Sequence, residues 1–150
     1  MLARLLLALA VLPALASAAD FRSTQDAATV LYDAPSARAK PLFVYGRGVP
    51  VEALVSVEGW TKVRDAAGTI GWMASKSLAG KRMLVVRAPV ADVRAAPDEA
   101  APAVFRAERD VLLEVAEPAD SAPGDTPGWI RVRHRDGQSG YVRVSQVFGF

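Results

Sequence analysis

Residues 59–72, GWTKVRDAAGTIGW, and residues 128–141, GWIRVRHRDGQSGY, are two versions of one segment, sharing Gly, Trp, Val, Arg and two further Gly at identical spacing. The likeness reaches further back. At an offset of 62, Ala34, Pro35, Ala39, Phe43, Arg47, Val49 and Glu52 recur as Ala96, Pro97, Ala101, Phe105, Arg109, Val111 and Glu114, whereas the Gly-Trp segments repeat at an offset of 69. The second copy therefore carries seven extra residues, and the Pro-, Gly- and Asp-rich stretch 117–127 takes them as a loop grown from a turn. The chain is a tandem duplication whose units, about 60 residues each, sit near the lower limit for a core that folds unaided.

Within each copy the signals are short strands between turns. Residues 28–34 alternate loosely, residues 50–57 place Val51, Ala53, Val55 and Val57 on one face, and residues 60–65 and 69–73 flank Ala66-Ala67-Gly68. In the second copy Val111, Leu113 and Val115 share a face, and Asp136-Gly137 is a pair that favours a tight hairpin. Residues 75–80 and 144–147 have room for one short helical turn each. No window of eleven or more residues beyond the N-terminal run keeps a 3.6-residue period. These patterns predict an all-β chain of two small barrels or partly closed sheets, over residues 19–80 and 81–150, with so short a join that the two touch.

The first residues set a compartment. One basic residue (Arg4), an apolar run from Leu5 to about Ala16 and the small residues Ala16-Ser17-Ala18 have the three-part layout of a secretory signal peptide over residues 1–18, cleaved near Ala18 or Ala19. An uncleaved anchor is the rival reading, but spanning a bilayer takes about 20 apolar residues, and this run is shorter and holds Pro13. Cleavage would leave no integral span and a nearly neutral chain of 17 Lys+Arg against 16 Asp+Glu. With no Cys there are no disulfides and no lipid-attachment thiol. The expected location is periplasmic or secreted.

The run ADVRAAPD (residues 91–98), an apolar strand and then GWIRVRHRDGQSGYV (residues 128–142) resemble the bacterial SH3-like domain, SH3b. The first copy resembles it through TVLYDAPS (residues 29–36) and GWTKVRDAAGTIGWM (residues 59–73), and the whole is similar to exported proteobacterial proteins of that SH3 family. The resemblance implies two tandem SH3-like barrels used for binding, often of peptidoglycan or its peptide stems when joined to cell-wall hydrolases. The Cys and His of such hydrolases have no room here, which implies a binding module without an enzyme.

Side-chain chemistry points the same way. A single His and no Cys leave neither Cys/His nucleophilic pairs nor the usual zinc clusters, so no catalytic residue, metal or cofactor is expected. His134 lies beside a turn without a nucleophile motif, and the paired carboxylates Asp98-Glu99 and Glu117/Asp120 fall in loops. Strand alternation puts Thr61, Val63, Ile130 and Val132 in the cores and turns Trp60, Lys62, Arg64, Trp129, Arg131 and Arg133 outward. Trp72 and Tyr141 open the closing strands and extend the same surfaces. Aromatic faces suit sugar rings and peptide backbones, and the cations suit carboxylates. The alternative for each Trp is to cap its barrel or to pack against the other copy. A polyproline groove is not expected, because the Pro and Tyr of peptide-binding SH3 domains correspond to Ala74 and Ser77, and to Arg143 and Gln146. The Leu31-Tyr32-Asp33 echo of their opening motif has no match in Val93-Arg94-Ala95 and is read as coincidence or as private to the first copy.

Arg131, Arg133, Arg135 and Arg143, with His134, make the second copy locally basic, but balanced charge and export argue against nucleic acid. The expected partner is peptidoglycan or its peptide stems, with an envelope protein bound by an adaptor as the alternative. Exposed sheet edges and the apolar residues 147–150 leave self-association open.

Overall fold

The computed structural model describes residues 18–116 and 127–150. The leader read at residues 1–18 and the loop read at 117–127, with Glu117 and Asp120, lie outside the described residues except for Ala18 and Pro127. The first copy forms β1 (Asp20–Thr24), β2 (Thr29–Tyr32), β3 (Pro41–Tyr45), β4 (Pro50–Val57), β5 (Trp60–Arg64), β6 (Ile70–Ala74) and β7 (Leu78–Ala79). The second forms β8 (Met83–Val86), β9 (Val90–Arg94), β10 (Ala103–Glu108), β11 (Leu112–Val115), β12 (Trp129–Arg133), β13 (Ser139–Arg143) and β14 (Val147–Phe148). Single 3-10 turns at Ser75–Ser77 and Val144–Gln146 fall where a helical turn was expected.

Hydrogen bonding orders one sheet β3-β2-β6-β5-β4-β1-β7 and the other β10-β9-β13-β12-β11-β8-β14. Adding seven to each label of the first order yields the second, so the sequence duplication is also a duplication of topology. The fold is all-β, in two seven-stranded sheets. The short strands β7 and β8 flank the join between copies and show no strand period, because the two residues of β7 are too few to alternate and β8 buries Leu84, Val85 and Val86 in succession.

One local expectation is corrected and another is sharpened. Val55 and Val57 do not share the buried face of Val51: the β4–β5 register passes from Ala53↔Val63 to Val55↔Lys62, so Leu54 is an extra residue. Such a bulge shifts the phase of alternation, and the rest of β4 turns its apolar side chains to solvent. Asp136-Gly137 does lie in a tight hairpin joining β12 to β13, though not in a two-residue one with both residues left-handed. Among the described non-glycine residues only Glu58 and Asp110 have positive φ, whereas Gly137 is at 95° and its counterpart Gly68 at 89°. The turn is instead a four-residue one closed by Gly137 N–H to His134 C=O at 2.9 Å, as Gly68 N–H closes on Asp65 C=O at 3.0 Å. The Asp136 carboxylate accepts the Gln138 N–H at 2.9 Å, which holds Asp136 in its ordinary conformation and leaves the left-handed position to glycine.

The two cores differ. Leu84, Val86, Ala91, Val93, Ala107, Leu113, Ile130, Val132, Val142 and Val147 are buried together in the second copy, with Val111 and Val115 against them as their shared face predicts. The first copy's cluster is Leu31, Val51, Val63 and Met73. Among the described residues the buried polar ones, Ser23, Thr24, Thr29, Thr61 and Ser77, all belong to the first copy. Most find partners: Thr24 Oγ1 donates to Gly46 C=O at 2.6 Å and accepts from Val49 N–H at 2.9 Å, and Thr61 Oγ1 lies 2.7 Å from Ser75 Oγ. Thr29 Oγ1 is buried without one. Thr29→Val keeps the branched shape and removes an unsatisfied hydroxyl, so it is expected to raise stability by about 1 kcal/mol in urea unfolding. A loss instead would mean that the hydroxyl is paired.

The small first core leans on its neighbour. Phe21 of β1 meets Phe148 of β14 edge to face, with centroids 5.3 Å apart at 85°. Gly149 sits against Pro50 and the Met83 carbonyl, and Gly48 faces Met83 and Leu112. Part of the C-terminal apolar run is therefore used within the chain, between Phe148, Gly149 and the first copy, while Phe150 stays exposed.

Candidate binding faces

The outer face of β2, β6 and β5 carries the first copy's candidate residues. Along β5, Thr61 and Val63 are buried while Trp60 and Lys62 are half-buried and Arg64 is exposed, as strand alternation requires. Pairing then brings other strands' side chains alongside: Tyr32 opposes Trp72, Trp72 opposes Lys62, and Trp60 opposes Ala74. The Tyr32 and Trp60 rings meet edge to face, 5.6 Å apart at 88°. The Lys62 ammonium stands 5.8 Å from the Trp72 ring centre, within cation–π range. The result is a half-buried platform of three aromatic rings and one ammonium. Tyr32 is the member that sequence reasoning set aside. The Leu31-Tyr32-Asp33 echo was its signal, and the absence of a match in the second copy is a real difference between the two faces rather than a coincidence.

Arg64 takes no part in the platform. Its Nε and Nη2 donate to Glu52 Oε2 across the β4–β5 ladder at 3.0 and 2.5 Å. The repeat reproduces the pair, since Arg133 donates to Glu114 at 3.2 Å. A hydrogen bond from Lys81, with the charges of Lys81 and Arg133, holds the Glu114 carboxyl below its usual range against a smaller opposing effect of burial. Both arginines thus serve cross-strand ion pairs. The basic appearance of the second copy is further offset by Asp136, 3.0 Å from His134 Nδ1, and by Glu99, which pairs with Arg143.

In the second copy the corresponding face is built from different chemistry. Trp129 was expected to stand outward over Arg131 and Arg133, but it is only 9% exposed. Arg143 from the adjoining strand lies over it, its guanidinium carbon 4.6 Å from the ring centre. The cation over the ring comes from the cross-strand partner, because Trp129 opposes Arg143 in the β12–β13 register while Arg131 opposes Tyr141. Arg131 and Tyr141 are half-buried on the same outer face. Arg94, opposite Tyr141, donates to Ala101 C=O at 2.8 Å and to Asp92 at 3.1 Å, with Glu99 at 3.8 Å. Asp92 is shared with Arg106 at 3.0 Å. Asp92, Arg94, Glu99, Trp129, Arg143 and Gln146 line a cavity of about 130 Å³.

Among the described residues no group of three or more His, Cys, Asp and Glu is arranged to hold a metal ion, and no helix is long and apolar enough to cross a membrane. No curated protein matches the chain. The solved structures to which it is similar include the following three. Two are NlpC1 and NlpC2 from Trichomonas vaginalis, each 12% identical over 87% of this chain, and 46% and 48% of theirs, at a TM-score of 0.35. The third is an NlpC/P60 family protein from Bacillus cereus ATCC 10987, 15% identical over 85% of this chain and 55% of that one, at a TM-score of 0.38. This chain spans about half the length of those proteins. The family model for the bacterial SH3 domain matches residues 25–80 and again residues 87–149. Each match falls on one of the two seven-stranded sheets and together they cover most of the sequence, so the chain belongs to the bacterial SH3 domain family, as two tandem copies.

Proposed function

We propose that this chain is an exported, non-enzymatic binding module that takes peptidoglycan, through its peptide stems, on the Tyr32–Trp60–Trp72–Lys62 face of the first copy. The observation that carries the reading is the platform itself: three rings and one ammonium, half-buried on a single sheet face. Half-buried rings are held in place by their neighbours yet keep a face for a ligand, so little side-chain freedom is lost on binding. Ring faces suit sugar and peptide surfaces, and an ammonium at the edge suits a stem carboxylate. The leader-like residues 1–18 are the support for export and for a periplasmic or secreted location.

Co-sedimentation of the leader-free protein with purified sacculi tests this. The protein is expected to pellet, and Trp60→Ala, with circular dichroism unchanged, to weaken pelleting by at least about tenfold, as removal of an anchoring aromatic does. Wild-type protein that stays in the supernatant would end the reading.

One observation favours a second reading, a protein adaptor. β3 is an edge strand, and its Leu42, Phe43 and Val44 are exposed, Val44 at 66%. An apolar, uncharged edge of this kind is a template for pairing with another chain. Phe43→Lys or Val44→Lys would then abolish partner capture or self-association and leave sacculus binding intact.

A further inference from the structure

Three repeat positions that meet on the outer face differ together between the copies. Tyr32, Ala37 and Ala74 of the first copy correspond to Arg94, Glu99 and Arg143 of the second. In the second copy these three residues converge: Glu99 pairs with Arg143 and lies 3.8 Å from Arg94. Two guanidinium groups thus close on one carboxylate beside a buried Trp, in a cavity of about 130 Å³. That volume equals roughly four water molecules at about 30 Å³ each, room for a carboxylate and a small side chain.

The two halves of this cluster are not equally fixed. Arg94 is 21% exposed and tied to the Ala101 carbonyl and Asp92, and Arg143 is seated on the Trp129 ring. Glu99 lies on the loop after β9 with its side chain 60% exposed. Solvent-exposed ion pairs contribute only about 0–1 kcal/mol, so a carboxylate arriving from outside exchanges for Glu99 at little cost. The receiving guanidiniums are already oriented, and their planar donor forks match a carboxylate's two oxygens. With Glu99 removed, Arg94, Arg143 and the neighbouring Arg106 face Asp92 alone among the acids of the cluster, which leaves excess positive charge in the cavity.

From this geometry we infer that Arg94 and Arg143, over Trp129, form a carboxylate-binding site on the second copy that Glu99 occupies until the carboxylate terminus of a peptide displaces it. The site is distinct from the aromatic platform of the first copy. It gives the tandem protein two chemically different faces, one aromatic and one cationic.

Acetyl-alanyl-alanine with a free carboxylate, and the same peptide as its C-terminal amide, are the probes. Binding to the full leader-free chain is read at low ionic strength from the NMR signals of the Trp129 indole and the Arg143 Nε. Glu99→Gln is expected to bind the free acid about tenfold more tightly than wild type, and the amide at least tenfold more weakly than the acid. Adding Arg143→Gln to Glu99→Gln is expected to abolish the response at the Trp129 indole, with folding checked by circular dichroism. Equal binding of acid and amide, or no gain from either Glu99→Gln or Glu99→Ala, overturns the proposal and leaves the cluster as a staple for its loop. Because the probe is a soluble peptide and the readout lies in the second copy, this result is independent of whether Trp60 carries sacculus binding.

Discussion

Gly140→Ala is expected to lower stability by about 3 kcal/mol, and Gly71→Ala by about 2 kcal/mol. A Cβ on Gly140 would stand 2.5 Å from the Arg94 carbonyl oxygen and 2.9 Å from Val93 Cγ1. On Gly71 it would meet Leu31 Cγ at 2.7 Å and the Tyr32 carbonyl at 2.8 Å. Neither contact can be relieved without moving a strand, since β13 lies on β9 as β6 lies on β2, each with a close backbone approach. The second-copy variant is the worse of the two because its tightest collision is with a backbone oxygen, whereas Leu31 can partly turn aside. Urea unfolding followed by circular dichroism measures both, and a loss under about 0.5 kcal/mol would mean that the strands separate cheaply. The consequence reaches the binding faces. Gly140 sets the distance at which Arg94 on β9 stands beside Tyr141 and Arg143 on β13, and Gly71 does the same for Tyr32 and Trp72.

Gly149→Ala is expected to cost roughly 3 kcal/mol and to split one unfolding transition into two. Gly149 has φ 111°, a conformation nearly closed to residues with a Cβ, and an added methyl would press on the Met83 carbonyl and on Pro50. Both conflicts lie where the C-terminus passes between the copies, beside the Phe21–Phe148 contact. Loosening that contact withdraws support from the first copy, whose buried apolar cluster is the smaller and which holds the buried polar residues. The first copy is therefore expected to melt at the lower temperature in differential scanning calorimetry. Gly80 is the control: it occupies the same repeat position, yet a Cβ there meets nothing within 4 Å. Gly80→Ala should be neutral, and a Gly149→Ala protein that still unfolds in one unshifted transition would show that the contact at Gly149 is not what couples the copies.

The strands that hold candidate residues were legible because they are long enough to alternate. β5 and β12 alternate as read, apart from the burial of Trp129: Thr61, Val63, Ile130 and Val132 are buried, and Lys62, Arg64, Arg131 and Arg133 are outward. β4 was legible only up to Leu54, because a bulge inserts a residue without marking it in the hydrophobic pattern. The two faces were half legible. Alternation says which way a side chain points along its own strand and nothing about what the adjoining strand lays over it. Trp129 was rightly turned from the core and wrongly left open, since Arg143 arrives from β13. Tyr32 was missed for the same reason, as its place beside Trp60 follows from β2 lying next to β6.

The repeated Gly, Trp and Val spacings carry the all-β architecture, its duplication and the side of each central strand that is buried, because these depend on local period and turn chemistry. Partnership across strands and between copies is a different matter. It is set by register, bulges and close backbone approach, which bring together residues tens of positions apart. That is why two faces written with the same Gly-Trp segment become an aromatic platform in one copy and an arginine-lined cavity in the other.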